Sequence, residues 1–270
     1  MIKIDWVEIP KGDFIAGLSV TRAKSFLEKL DYEIHWKDIL SLETPEIKVS
    51  LETFYISRYP ITNKQYFEFA ESEHRYSHKN VFKGKDRRIV LSDLEEKAEN
   101  FGDHPAVTVW HSAMAFCEWI GARLPTSIEW EKAARGVDGR LYPWGNEWDP
   151  SCGSFTLNYE RWQAKTSPVS AYDNGRSPYG VVDMIGNVCE YTLSTTIKNS
   201  GGRNCEFVIC RGSHCDYNAT KDKYSPAWFR NRVTNRYTDV MNFGGGPLLV
   251  GFRPVLDKWQ SKVTDIHGIK

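Results

Sequence analysis

The sequence predicts an α+β fold in a single loop-rich domain over residues 1–270. Three observations carry that reading. First, two segments start helices with a capping box, Thr62-x-x-Gln65 and Thr126-x-x-Glu129, in which side chain and backbone at the helix start satisfy each other. Second, helical periodicity fades after Gly136. From there Gly, Asn, Asp, Pro and aromatic residues surround short apolar stretches such as Phe207-Val208-Ile209. Third, the composition is 41% hydrophobic and 13% aromatic, ample for a core. Ten Trp suit loop-rich packing, because an indole fills space and still donates to a carbonyl.

In chain order, residues 1–20 read as strand and turn. Residues 21–43 read as a helical insertion, with Thr21 as its cap and Phe26, Leu27 and Leu30 on one face. It could be an edge packed on the same core or a docking surface for a partner. A helix is expected from Thr62 to Glu71. Residues 72–104 are polar and mixed in charge around Lys83-Gly84-Lys85-Asp86-Arg87-Arg88, which suggests an exposed loop. Val107 to Ile120 reads as an amphipathic helix, apolar at Val107, Trp110, Met114 and Cys117. Pro125 disfavours helix in the residue before it, Thr126 caps the next helix, and Gly136 offers its stop.

The bulk numbers exclude several classes. With 35 basic and 35 acidic residues, the formal net charge is zero, so nucleic-acid binding through bulk charge is not indicated. No long apolar run suggests a membrane span. The segment Met1-Ile2-Lys3-Ile4-Asp5-Trp6 lacks the apolar stretch of a secretory signal, and a cytoplasmic location is the expectation. Six Cys in a chain of this size do not make a disulfide framework, and free thiols are expected.

The segment Arg123-Leu124-Pro125-Thr126-Ser127-Ile128-Glu129-Trp130-Glu131-Lys132-Ala133-Ala134-Arg135-Gly136 closely resembles the signature of the formylglycine-generating enzyme, or sulfatase-modifying-factor, family. Further motifs stand in that family's order: Tyr142-Pro143-Trp144-Gly145-Asn146, Gly186-Asn187-Val188-Cys189-Glu190-Tyr191, Arg211-Gly212-Ser213 and Gly251-Phe252-Arg253-Pro254. The resemblance implies a variant of the C-type lectin fold with two helices, short strands and long ordered loops. It is much more specific for fold than for activity, because family members differ in role.

The resemblance also implies candidate sites. Catalytic members oxidise a substrate cysteine with copper and oxygen, using two Cys five residues apart after a Gly-Gly-Ser-Trp-like strand. Paired thiolates are soft ligands that suit Cu(I). Here Cys215 follows the matching strand, and Thr220 stands five positions on. Cys210 precedes Cys215 by five, so the spacing is displaced; in an extended strand it would part the sulfurs by roughly 16 Å. Cys210 and Cys215 are the catalytic candidates. A structural calcium site is expected at Asn187, Val188 and Glu190, where hard oxygens converge. His214, Asp216, Trp228, Arg230, Arg232 and Arg236 are ligand-binding candidates, because aromatics mixed with donors read peptides, sugars or nucleotides.

Three functions follow. The leading one is a non-catalytic binding or scaffold module for a protein or small molecule, with a concave face from about Ser213 to Phe243. The second is a copper-dependent oxidase or oxygenase of a peptidyl or small-molecule thiol. The third is a retroelement-diversified ligand-binding protein. Residues 214–243 occupy the place such a protein varies, without the dense Asn-derived substitutions expected there.

Overall fold

The computed structural model describes residues 2–30, 40, 43–76, 91–155, 166–200, 202–213, 227–240 and 249–258. Its elements run β1 (Trp6–Ile9), β2 (Gly12–Ala16), α1 (Val20–Lys29), β3 (Ile47–Leu51), β4 (Phe54–Ser57), α2 (Asn63–Tyr76), α3 (Leu91–Asn100), α4 (Trp110–Trp119) and α5 (Ser127–Arg135). There follow β5 (Cys189–Ser200), β6 (Arg203–Arg211), α6 (Ala227–Arg230), β7 (Arg236–Val240), β8 (Val250–Gly251) and β9 (Val255–Leu256).

Three sheets organise these elements. In the first, β4 is central and pairs antiparallel with β1 on one edge and β9 on the other. The second is the β2–β3 antiparallel ribbon. The third has the order β7-β6-β5-β8, antiparallel except for β8, which runs parallel to β5.

The core has two main clusters. Tyr66 and Phe69 of α2 meet Phe116 of α4 and Phe252, with ring centroids 5.3–6.2 Å apart. Burying a phenylalanine of this kind stabilises by roughly 1.5–3 kcal/mol. The second cluster seats α5 on the first sheet, with Trp130 and Ala133 against Ile9, Phe54, Ile56 and Val255. A smaller cluster joins Phe26 and Leu30 of the insertion to Phe229 of α6.

The expectations meet the structure unevenly. The Thr62–Gln65 box forms, with Gln65 N donating to Thr62 Oγ1 at 3.3 Å and Thr62 N donating to Gln65 Oε1 at 2.9 Å. The insertion does start with a helix, but Ser19 caps it, accepting from Arg22 N at 3.2 Å; Thr21 already lies inside the first turn. The expected loop at 72–104 contains α3, whose Leu94 packs into the first cluster. The basic run Lys83–Arg88 lies outside the described residues. The architecture of two helices is likewise exceeded, with six α-helical segments among the described residues. No helix among the described residues is long and apolar enough to cross a membrane.

Candidate functional site

Helix α5 realises its sequence punctuation. Thr126 Oγ1 accepts from Glu129 N at 3.2 Å, and Glu129 Oε2 accepts from Thr126 N at 2.7 Å. The charged residues of this helix then point inward. Lys132 donates to the carbonyls of Pro10 and Gly12 at 2.7 and 2.9 Å. Glu131 is fully buried and accepts from Gly17 N at 2.6 Å, Arg135 at 2.9 Å and Arg211 at 2.6 Å. Burial alone would raise its pKa; Arg211 and Arg135 outweigh burial and hold the carboxyl below its ordinary range.

The end of β6 packs on this helix. Arg211 lies 5.3 Å from the Trp130 ring centroid and donates to the carbonyls of Val233, Thr234 and Asn235. Gly212 follows at φ +76°, where a Cβ would stand 2.8 Å from the Met184 carbonyl, so the close turn requires glycine. Ser213 is buried and its Oγ accepts from Gly186 N at 3.0 Å. Cys210 sits on β6 opposite Tyr191, buried in the first core cluster with Cys117, Cys189 and Val208. Its expected partner Cys215 lies outside the described residues, as do His214 and Asp216. Among the described residues no group of three His, Cys, Asp or Glu side chains is placed to hold a metal ion.

The turn expected to bind calcium is fully inside the fold. Asn187 adopts φ 60° and Asp183 φ 57°, a left-handed backbone that Asn and Asp tolerate. The Asn187 amide donates to Ser167 O at 3.0 Å and to Asp183 Oδ2 at 2.9 Å, and its Oδ1 accepts from Ser167 N at 3.0 Å. Glu190 departs from expectation. Its carboxylate accepts from Arg253 at 2.6 and 2.7 Å and from the Trp130 indole at 2.8 Å, so it is already neutralised. Asp183, which the sequence reading passed over, offers what Glu190 does not: a buried Oδ1 with no hydrogen-bond partner. Burial pushes its carboxyl up to about 7. At this turn Asp183 therefore keeps one open acceptor oxygen, whereas both oxygens of Glu190 are taken. The signal in the sequence was Asp183, four positions before Asn187.

The ligand-binding candidates divide. Arg232 is not on a surface. It is buried, its guanidinium lies 4.0 Å from the Phe229 ring centroid and 5.1 Å from that of Phe26, and it pairs with Glu43 at 2.7 Å. Thr234 Oγ1 also donates to Glu43. The insertion is thus bolted to the C-terminal segment through Glu43. Trp228 belongs to α6, but its side chain lies outside the described residues. Arg230 is half-buried, and its carbonyl accepts from Asn235 Nδ2 at 2.6 Å. Arg236 keeps a side chain that is 26% exposed.

Comparison with known proteins adds the following. A family model described as the sulfatase-modifying factor enzyme 1-like domain matches residues 4–257. The chain is 33% identical over 211 residues to the uncharacterized protein YfmG of Bacillus subtilis (strain 168), covering 69% of this chain and 41% of that protein. It is 31% identical over 201 residues to the inactive C-alpha-formylglycine-generating enzyme 2 of Bos taurus, covering 56% of this chain and 63% of that one. The chain therefore spans less than two thirds of the length of these relatives. Among solved structures, CarF superposes with a TM-score of 0.61 at 19% identity, covering 94% of this chain and 98% of that one. Treponema denticola variable protein 1 gives 0.59 at 16% identity, covering 95% and 96%. At these identities the two structures speak for the fold alone.

Proposed function

Because the chain belongs to the sulfatase-modifying factor enzyme 1-like family and has its variant of the C-type lectin fold, we propose that it is a non-catalytic module that binds a protein or small ligand. The ligand segment in this reading runs from Ser213 towards Phe243, of which Ser213 and residues 227–240 are described. The observation that carries this reading is Cys210. The thiol five positions before Cys215 is buried among apolar side chains, which is a poor setting for a copper ligand that must meet oxygen and a substrate thiol. The similarity to the inactive C-alpha-formylglycine-generating enzyme 2 of Bos taurus is compatible with such a role. The buried Glu131 and Glu43 pairs support it too, since they anchor the ligand segment just before its start, at Arg211, and within it, at Arg232.

Calcium belongs to the same reading as a structural ion. Asp183, Asn187 and the Val188 carbonyl would hold it, and it would supply the charge that the orphaned Asp183 oxygen lacks.

The test is copper. Anaerobically reduced protein is titrated with Cu(I), alongside Cys210→Ser and Cys215→Ser, and oxygen uptake is followed with a thiol peptide. The binding-module reading expects no stoichiometric copper that depends on either cysteine and no metal-dependent oxygen uptake. Tight copper lost in both variants, with oxygen consumed, would make the chain an oxidase instead.

A further inference from the structure

Charge does not balance beneath the end of β6. Arg211 and Arg236 are direct cross-strand partners on β6 and β7. Together with Arg135 they converge on one carboxylate, Glu131, at 2.6 Å for Arg211, 2.9 Å for Arg135 and 3.8 Å for Arg236. The neighbouring buried carboxylate, Glu43, is taken by Arg232 and Thr234. Among the described residues, two carboxylates therefore face four guanidiniums.

Among the described residues, Arg236 is the one left over. Both oxygens of Glu131 are already occupied by shorter hydrogen bonds, and 3.8 Å is beyond hydrogen-bond reach. Its side chain is only 26% exposed, and its Nε is buried without an acceptor. Behind it, the fully buried Arg211 also has an Nε without an acceptor. Burial pushes the Arg211 guanidinium down to about 10 despite Glu131, and the adjacent Arg236 charge acts in the same direction. A mostly buried cation whose one described ion-pair partner is shared and out of hydrogen-bond reach is costly, and a second cation across the strand pair adds repulsion.

We propose that Arg236, backed by Arg211, is an oxyanion-recognition site that takes a carboxylate or phosphate group of the ligand. A planar guanidinium fork matches such groups through two parallel hydrogen bonds, and an ammonium does not. Arg236 reaches solvent while Arg211 does not, so Arg236 makes the contact and Arg211 supplies field from behind. The proposal rests on the binding-module reading and gives its ligand a chemical class.

The test is the unfolding midpoint of the full chain at constant ionic strength in chloride, titrated with inorganic phosphate and, separately, with acetate. The expected result is a saturable rise of about 2–4 °C with at least one anion. Whichever acts more strongly identifies the source. Arg236→Gln abolishes the rise and is at least as stable as the parent in chloride, because it removes an uncompensated charge. Arg236→Lys keeps the charge, loses the fork and weakens the rise. The proposal is overturned if neither anion shifts the parent, if Arg236→Gln responds as the parent does, or if that variant is less stable in chloride. A positive copper and oxygen-uptake result would sink the binding-module reading alone, leaving the anion titration to stand or fall by itself.

Discussion

Glu190 receives Arg253 through both of its carboxylate oxygens, at 2.6 and 2.7 Å, and neither side chain reaches solvent. The same guanidinium donates to the carbonyls of Ser57, Arg58 and Val182, so one residue ties β5 to the end of β4 and to the turn before Asp183. Arg253→Met would strand a buried carboxylate and three carbonyls. It should cost about 3–5 kcal/mol in urea unfolding. Adding Glu190→Gln should recover part of that loss, because the pair acts as a unit. Equal and additive losses would show that the two side chains do not depend on each other.

Acid should weaken the cap of α5. Burial alone would raise the Glu129 pKa, but Arg123 and the Thr126 amide outweigh it and hold the carboxyl below its ordinary value of 4.5. A carboxyl depressed in the folded state contributes stability that is present above 4.5 and is lost as pH falls through the folded value. Glu129→Gln removes that contribution. The parent should exceed the variant by about 1–2 kcal/mol at pH 7, and the gap should close below 4.5. A gap unchanged at pH 3 would contradict the assignment.

Calcium should raise the unfolding midpoint of the metal-free protein if the Asp183 turn binds it, and Asp183→Ala should abolish the rise. Glu190→Gln tests the alternative ligand. If it, rather than Asp183→Ala, selectively removed the calcium response, the orphaned oxygen would not be the anchor.

Thiol chemistry separates the cysteines. Cys117 and Cys210 are buried, and burial pushes the Cys117 thiol up, so both should resist a thiol reagent in the native state. Cys205, half-buried on β6, should be the first of the described cysteines to be labelled, as read by peptide mass mapping. Early labelling of Cys210 would mean that β6 opens locally or that its thiol has access to the surface.

Local signals were legible in the sequence where the physics is local. The capping boxes at Thr62 and Thr126 need only four residues each, and both form as read. The α4 helix starts at Trp110 rather than Val107, because extended backbone runs through Val109, its cap residue. The β5–β6 hairpin was not legible. β5 carries Thr192, Thr195, Thr196 and Lys198 among its apolar positions, and Ile197 is exposed, so no apolar alternation marks a strand that is held mainly by cross-strand backbone pairing. Arg232 was misassigned for a related reason: nothing in the sequence announces Glu43 as its partner, 189 positions away. Asp183 acquires its meaning only once burial has removed water from one of its oxygens.

The central place of β4 also sets a timetable. Ile56 pairs with Val7 on one side and Val255 on the other. The second partner leaves the ribosome 199 residues after the first sheet could otherwise have begun to close. At synthesis rates of about 5–20 residues per second, that edge waits roughly 10–40 s. Through that interval the nascent chain carries an open β4 edge and half of an apolar seat for α5, so the first sheet closes only after β9 emerges.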